Sequence, residues 1–117
     1  MMKVEKIVEQ TLLYDFYGEL LTEHQRQIYE DVVFNDLSLS EVAEDRGISR
    51  QGVHDMIKRC SKQLADYEEK LHLVEKFLTT RTKAEQIHEL ARKCSETRDL
   101  SLAAEIEKVA LEIITDL

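Results

Sequence analysis

The sequence has no proline, only three glycines and two cysteines among its 117 residues. Proline and glycine most often end helices and form tight turns, so their scarcity favours long helices over a sheet. Charged residues make up 34% of the chain and aromatic residues 6%, which fits a helical protein. The hydrophobic fraction, 43%, is enough to form a core, so disorder is not expected. We therefore predict an all-α protein of five or six helices.

Other absences narrow the function. Cys60 and Cys94 have no C-x-x-C partner, which is typical of reduced thiols and not of a disulfide framework or a zinc site. The N-terminal sequence MMKVEKIVEQ lacks the apolar run of a signal peptide, and no stretch approaches the roughly 20 apolar residues of a membrane span. We expect a cytoplasmic protein that needs no cofactor and has no membrane partner.

The sequence also lacks catalytic patterns. It has no Gly-rich phosphate loop, no nucleophile elbow and no Ser/His/Asp set placed by a turn, so we predict that it is not an enzyme. A metal site has one supporting pattern, because Glu69 to His72 and Glu85 to His88 share the Glu-x-x-His spacing of helical metal sites. A helical hairpin turning near Thr80 would bring the two pairs level. Such spacings arise by chance among 24 acidic residues, so no metal site is predicted.

The stretch from Ser38 to Leu64 has the pattern of a helix-turn-helix. Ser38 and Glu41 form a capping box, which predicts a short helix from Leu39 to Asp45. Gly47 follows where the chain needs a positive φ to turn sharply. Ser49 then caps a second helix, whose apolar face carries Val53, Met56 and Ile57. The alternative is a helical hairpin without any role in nucleic-acid binding.

Charge is unevenly distributed. The net charge is −8, which argues against indiscriminate nucleic-acid binding. Residues 1–35 carry a net charge of −4 and residues 78–117 a net charge of −2. The helix that begins at Ser49 has four cations and one anion up to residue 64, a net charge of +3. The one basic helix in this acidic chain is therefore the second helix of the motif.

This helix supplies the candidate contacts. Polar side chains in its first turns would meet base edges in the major groove, where Arg50 would fork onto a guanine and Gln51 would pair with an adenine. Cations further along would bind phosphates. The alternative is a solvated outer face. The full predicted set is Arg46, Ser49, Arg50, Gln51, His54, Asp55, Lys58, Arg59 and Lys62.

Helices are predicted on both sides of the motif. A first helix covers residues 4–21, and a second runs from Glu23 to Phe34 behind a Thr22/Gln25 capping box. After the motif, heptad spacing predicts that the second motif helix continues to residue 78, with a seam that forms a coiled coil or packs on the first helix. The residues of this seam are Leu64, Tyr67, Leu71, Val74 and Leu78.

Two more helices are predicted at the C-terminal end. Thr82 and Glu85 have capping-box spacing, which predicts a helix from Lys83 to Cys94. A last helix has a wide apolar face that the domain or a second subunit must cover, so a homodimer is expected. The residues of this face are Leu102, Ala103, Ile106, Val109, Ala110, Ile113 and Ile114.

Three segments carry a family resemblance. The runs LTEHQRQIYE from Leu21, LSLSEVAE from Leu37 and ISRQGVH from Ile48 resemble region 4 of bacterial sigma factors, which places its last helix in the major groove. Over residues 5–78 the chain resembles more closely the YlxM-like family of small helix-turn-helix proteins. The motifs that carry this resemblance are YDFY at Tyr14, LLT at Leu20, SRQ at Ser49 and DYEEKLHL at Asp66. One departure is Gly52, where alanine is expected.

The resemblance implies a DNA-binding transcriptional regulator that acts in the signal recognition particle pathway, since the family's genes adjoin those of the particle. We predict a helix-turn-helix domain at residues 1–78 and a C-terminal extension at residues 79–117. The alternative is a protein-interaction adaptor of that pathway, which uses its acidic surface and does not bind DNA. Direct RNA binding has little support, because no aromatic side chain stands among the cations to stack on a base.

Overall fold

Six α-helices form the structure, a computed structural model that describes the backbone of residues 2–117 and the side chains from Ile7 onward. A 3₁₀ turn, Gly18–Leu20, follows the first helix, and a π-helical segment, Glu30–Phe34, extends the second. No strand occurs in residues 2–117, so the prediction of an all-α protein with five or six helices is confirmed. The helices are α1 (Met2–Tyr17), α2 (Glu23–Tyr29), α3 (Leu39–Arg46), α4 (Arg50–Leu71), α5 (Leu73–Thr97) and α6 (Ser101–Asp116).

Local capping explains where α2 and α3 begin. The Thr22 hydroxyl accepts a hydrogen bond from the Gln25 amide at 3.2 Å, and the Gln25 side chain accepts one from the Thr22 amide at 3.0 Å. Ser38 and Glu41 form the same reciprocal pair, at 3.0 and 3.2 Å. Each box satisfies two backbone donors that a helix start leaves without partners. These two of the three predicted capping boxes are confirmed.

The turn between α3 and α4 takes three residues. Gly47 has φ 67°, the left-handed conformation that favours glycine, and the Ile48 amide donates to the Ala43 carbonyl at 3.0 Å. The Ser49 hydroxyl then accepts a hydrogen bond from the Gly52 amide at 2.9 Å and starts α4. A three-residue turn between two helices is typical of a helix-turn-helix.

One apolar cluster holds this motif together. Ile28 of α2, Val42 and Ala43 of α3, and Val53 of α4 are all buried in it. The small Ala43 side chain lies between α3 and α4, which are in close contact. The sequence predicted these inward positions, and the cluster fixes the first turns of α4 against α2 and α3.

A second cluster joins α4 to the N-terminal helices. Tyr17 and Tyr29 are its largest side chains, and the Tyr14 ring stacks on Tyr29 with 5.5 Å between the ring centroids. Cys60 is fully buried, and burial raises the pKa of its thiol, which keeps it neutral. The buried members of this cluster are Tyr17, Leu21, Tyr29, Cys60, Leu64 and Val74.

Helix α1 is docked less deeply than its wide apolar content predicted. Ile7 and Val8 are 55% and 52% exposed, and Phe16 and Leu20 are exposed as well. The fully buried side chain of α1 among the described ones is Tyr17. The reason is that α4 covers one face of α1, whereas its apolar residues extend over more than one face.

The predicted continuation of α4 to residue 78 is wrong. Helix α4 ends at Leu71, and His72 adopts the left-handed conformation, with φ 55°. The Glu68 carboxylate accepts a hydrogen bond from the Val74 amide at 2.9 Å, and the Tyr17 hydroxyl accepts one from the Leu73 amide at 3.1 Å. These two bonds cap the start of α5. Of the predicted seam, Leu64, Tyr67 and Val74 pack in the second cluster, whereas Leu71 and Leu78 are exposed.

The predicted helix start at Thr82 is also wrong, because α5 runs without a break from Leu73 to Thr97. Threonine costs a helix less than about 0.7 kcal/mol relative to alanine, so the threonines at positions 79, 80 and 82 do not end it. The hairpin near Thr80, on which the metal hypothesis depended, is therefore absent. Among the described residues no three His, Cys, Asp or Glu side chains lie close enough together to hold a metal ion.

The chain forms two compact units, and the second comprises Glu75–Leu117. Within it, the Lys83 ammonium lies 2.9 Å from the Asp116 carboxylate and 3.7 Å from that of Glu112. The hydrogen bond to Asp116 raises the pKa of Lys83. None of the described side chains of this unit is buried, and Leu111 and Ile114 are 59% and 66% exposed. No helix among residues 2–117 has the length and apolarity that crossing a bilayer requires.

Replacing Gly47 with alanine is expected to destabilise the protein by about 1–2 kcal/mol, because a left-handed conformation costs a non-glycine residue this much. A methyl group at this position meets no atom within 4 Å, so the cost comes from the backbone and not from a clash. Urea unfolding would measure it. Gly47→Asn is the control and should lose less, since asparagine tolerates this conformation better. Equal losses for both variants would contradict this explanation.

Replacing Tyr17 with phenylalanine is expected to cost about 1–2 kcal/mol in the free energy of unfolding, because the hydroxyl both donates to Glu68 at 2.5 Å and accepts from Leu73. Tyr67→Phe is the matched control, since no hydrogen bond involves the Tyr67 hydroxyl among the described residues. Urea unfolding of both variants would test this, and equal effects would contradict it.

The loss at Tyr17 should depend on pH in a defined direction. Burial, and then the hydrogen bond to Glu68, raise the pKa of Tyr17, so the neutral phenol is favoured in the folded state. The stabilisation by the neutral Tyr17 phenol is complete below about pH 10, the usual pKa of tyrosine. It is lost as the pH rises through the pKa of Tyr17 in the folded state. The stability difference between the wild type and Tyr17→Phe should therefore shrink above about pH 10.

Candidate nucleic-acid interface

Helix α4 has two opposite faces. Its buried face, which includes Val53, Cys60 and Leu64, follows the three- and four-residue spacing of a helix packed on a core. The other face and the cap that precedes it are open to solvent. Every predicted contact residue from the cap onward is exposed, namely Ser49, Arg50, Gln51, His54, Asp55, Lys58, Arg59 and Lys62.

Three cations on this face have no ion pair with any described residue. Within the part of the chain that the structure describes, no carboxylate lies within 4 Å of the charged groups of Arg50, Lys58 or Arg59. Lys62 differs, since its ammonium lies 3.1 Å from the Asp66 carboxylate. An exposed pair of this kind contributes less than about 1 kcal/mol, so a stronger anion can displace it. The face therefore offers positive charge to an external anion.

Hydrogen bonds order the polar side chains in the first turns of α4. The Gln51 amide nitrogen donates to the Asp55 carboxylate at 2.9 Å, one helical turn along. The His54 ring nitrogen Nδ1 lies 3.7 Å from the same carboxylate oxygen. Asp55 is thus the common neighbour of two side chains that the sequence predicts to meet base edges.

The Arg46 side chain interacts with other residues of the motif and is not part of this exposed face. Its guanidinium donates to the Gln27 side chain at 2.6 Å and to the Asp31 carboxylate at 3.3 Å, which connects α3 to the α2 segment. Its Nε atom is buried and has no hydrogen-bond partner among the described residues. Arg46 therefore supports the motif from within, and its contact with a phosphate stays a prediction.

The partners of Arg46 were not predicted from the sequence. Neither Gln27 nor Asp31 is among the functional residues that the sequence predicts. One signal was available, because Gln27 and Asp31 are four residues apart and so lie on one face of a helical turn. The sequence could not show that α3 crosses this face at Arg46.

Gly52, where the resemblance predicts alanine, lies in the third position of α4. A Cβ atom there would come within 3.0 Å of the Ser49 hydroxyl oxygen, which caps the helix. Alanine would therefore require the cap to move by a few tenths of an ångström. Glycine at this position accommodates the tight Ser49 cap at the start of the exposed face.

Comparison with known proteins agrees with this architecture. A family model described as "Putative helix-turn-helix protein, YlxM / p13 like" matches residues 4–107. A UPF0122 protein of Caldanaerobacter subterraneus is 54% identical over 79 residues, 68% of each chain. A UPF0122 protein of a Thermoanaerobacter species is 45% identical over 106 residues, 88% of this chain and 89% of the relative. A third, from Acetivibrio thermocellus, is 50% identical over 84 residues, 72% of each chain.

The family match covers both clusters, the turn at Gly47 and the whole of α4 and α5. It confirms the YlxM-like resemblance read from the sequence and extends it beyond residue 78. The chain belongs to the UPF0122 family of YlxM/p13-like helix-turn-helix proteins.

Proposed function

We propose that this protein binds duplex DNA through the exposed face of α4 and regulates transcription in the cytoplasm. The observation that carries the proposal is a face with three cations that form no ion pair among the described residues, on the second helix of a helix-turn-helix, in a chain whose net charge is −8. An acidic protein in which the first part of one helix, up to residue 64, is basic and has three of its four cations unpaired among the described residues concentrates its attraction for phosphates there.

The contacts divide along the helix. Arg50 and Gln51 lie in the first turn of α4, where a recognition helix meets base edges in the major groove, as in the sigma-factor domains that the chain resembles. Lys58, Arg59 and Lys62 lie further along and would bind phosphates. The Ser49 oxygen accepts from the Gly52 amide, which leaves the hydroxyl hydrogen available for a phosphate at the rim.

Few cations imply weak binding by a single copy. Three or four phosphate contacts correspond to a slope of about −3 in the logarithm of the binding constant against the logarithm of salt concentration. Specific binding at physiological salt therefore needs a second recognition helix. A dimer that reads two half-sites about one helical turn of DNA apart would supply it.

The C-terminal unit is our candidate for this dimer contact. It comprises 43 residues, and none of its described side chains is buried, so it has no core of its own. Units this small are rarely stable without an additional interaction. The α5 and α6 helices of two copies would form a four-helix arrangement with the apolar face of α6 at its centre.

The DNA-binding face can be tested by fluorescence anisotropy on duplexes from the protein's own promoter region. Removing the two phosphate-binding cations in Lys58→Ala/Arg59→Ala should weaken binding to all duplexes and make the salt slope about 2 units shallower per recognition helix. Arg50→Ala should abolish the preference for the promoter duplex over a scrambled one.

Arg92→Ala is the matched control, because Arg92 is held by Glu89 and Glu96 and lies outside α4. It should leave the affinity and the salt slope unchanged. Equal effects of Arg92→Ala and of the α4 variants would contradict the proposed site, and an absence of duplex binding at moderate salt would contradict DNA binding itself.

The dimer can be tested separately by light scattering after size-exclusion chromatography. The wild type is expected to be a dimer at micromolar concentration, and Leu111→Glu/Ile114→Glu to be a monomer with unchanged helical circular dichroism. Both side chains are more than half exposed in one copy, so a charge there should not disturb its fold. Lys108→Ala on the same helix is the control. A monomeric wild type would overturn the proposal.

A second function is favoured by the acidic N-terminal part of the chain, where residues 1–35 carry a net charge of −4. In that case the motif is a scaffold, and this surface binds a basic component of the signal recognition particle. The same anisotropy measurements separate the two functions. An adaptor would bind no duplex, and its partner binding would survive Arg50→Ala/Gln51→Ala.

A further inference from the structure

Asp55 is an acidic residue on the otherwise basic exposed face of α4. From Ser49 to Leu64 it is the one acidic residue among four cations, and it lies in the region that would face base edges. A carboxylate facing phosphates and acceptor-rich bases costs binding energy unless it has a partner. In the structure it has one, the Gln51 amide at 2.9 Å.

We propose that Asp55 is a positioning residue that fixes the Gln51 side-chain amide in the orientation that reads adenine. This inference rests on the proposed DNA-binding function and deepens it, since it names an A·T pair as the target of Gln51. Gln51 would contact the base, and Asp55 would act through Gln51 without touching the DNA.

The side-chain amide of glutamine has two N–H donors and one carbonyl acceptor. Asp55 takes one N–H group, and an ionised carboxylate can accept a hydrogen bond but not donate one, so it selects the nitrogen side of the amide. When Asp55 takes the N–H group that is anti to the carbonyl, the carbonyl oxygen and the second N–H group remain free and lie side by side. In the major groove, adenine offers the complementary pair, the N6 donor and the N7 acceptor.

The fixed orientation also rejects guanine. Guanine offers two acceptors, N7 and O6, so the Gln51 carbonyl would face O6 without a donor between them. An amide that rotates freely can turn a nitrogen toward O6 instead. Asp55 would therefore act by preventing that rotation, and its removal should improve binding to guanine more than it weakens binding to adenine.

Gln51 and His54 both lie against one oxygen of the Asp55 carboxylate. Asp55 Oδ1 accepts from the Gln51 amide, and His54 Nδ1 lies 3.7 Å from the same oxygen, so direct reading of cytosine by the second oxygen is an outcome that the test must separate. The bond between Gln51 and Asp55 is exposed in the free protein and contributes little to its stability. In a groove that excludes water the same bond is stronger, so its effect is felt in the complex.

The test uses the full-length protein and begins with selection of binding sites from randomised duplexes. The position that Gln51 reads is the one at which the Gln51→Ala variant no longer prefers any base pair. Anisotropy then measures binding to the selected site with each of the four base pairs at that position. The wild type should prefer adenine there by about 5- to 150-fold, the range of a good bidentate contact. Asp55→Ala should reduce this preference to less than about fivefold, chiefly by better binding of guanine.

Asp55→Asn separates positioning from charge. Both Asp55 variants remove a negative charge and should strengthen binding to every duplex, so the readout is the ratio between bases and not the affinity. The asparagine side chain can accept from the Gln51 nitrogen or donate to the Gln51 carbonyl, so Asp55→Asn should show an adenine preference between those of the wild type and Asp55→Ala. All of these side chains are exposed, and circular dichroism would verify that the variants fold.

Each outcome decides the question. An unchanged adenine preference in Asp55→Ala would overturn the inference while leaving DNA binding intact. So would a cytosine preference that disappears in both Asp55 variants and survives in Gln51→Ala, since Asp55 would then read a base directly. If the wild type selects no sequence, the proposed function itself fails, and this inference fails with it.

Discussion

The structure depends on the burial of one face of α4 in two clusters at once. Val53 fixes the start of the helix against α2 and α3, and Cys60 and Leu64 fix its middle against the N-terminal tyrosines. A helix that is packed into two clusters along its length cannot rotate about its axis without exposing buried side chains of at least one cluster. The opposite face is therefore presented to solvent in a defined orientation, which a surface that reads base edges requires.

Signals that act over three or four residues could be read from the sequence. The capping boxes at Thr22 and Ser38, the cap at Ser49 and the left-handed Gly47 all depend on residues close along the chain, and the structure has each of them. The inward positions of Val42, Ala43 and Val53 followed from helical periodicity in the same way. These features define the motif, so the position of the candidate face was also predictable.

Features that depend on residues far apart along the chain could not be predicted from the sequence. Helix α4 ends near His72 because Tyr17, more than fifty positions earlier, accepts from the Leu73 amide. The local sequence there contains no proline or glycine, so a continuous helix was the natural prediction. At Thr82 the opposite error occurred, since a valid capping pattern is present but the preceding residues remain helical. The engagement of Arg46 by Gln27 and Asp31 is a third case, because it requires knowing how two helices cross.

The hydrogen bonds around Tyr17 carry a consequence for how this sequence can evolve. The Tyr17 hydroxyl donates to the Glu68 carboxylate and accepts from the Leu73 amide, and the same carboxylate also accepts from the Val74 amide. Loss of either side chain leaves a backbone donor at the start of α5 without its partner. Neither position can therefore be substituted alone without a loss of stability. Positions 17 and 68 should therefore change together during divergence, or change alongside a residue after 71 that supplies a new cap.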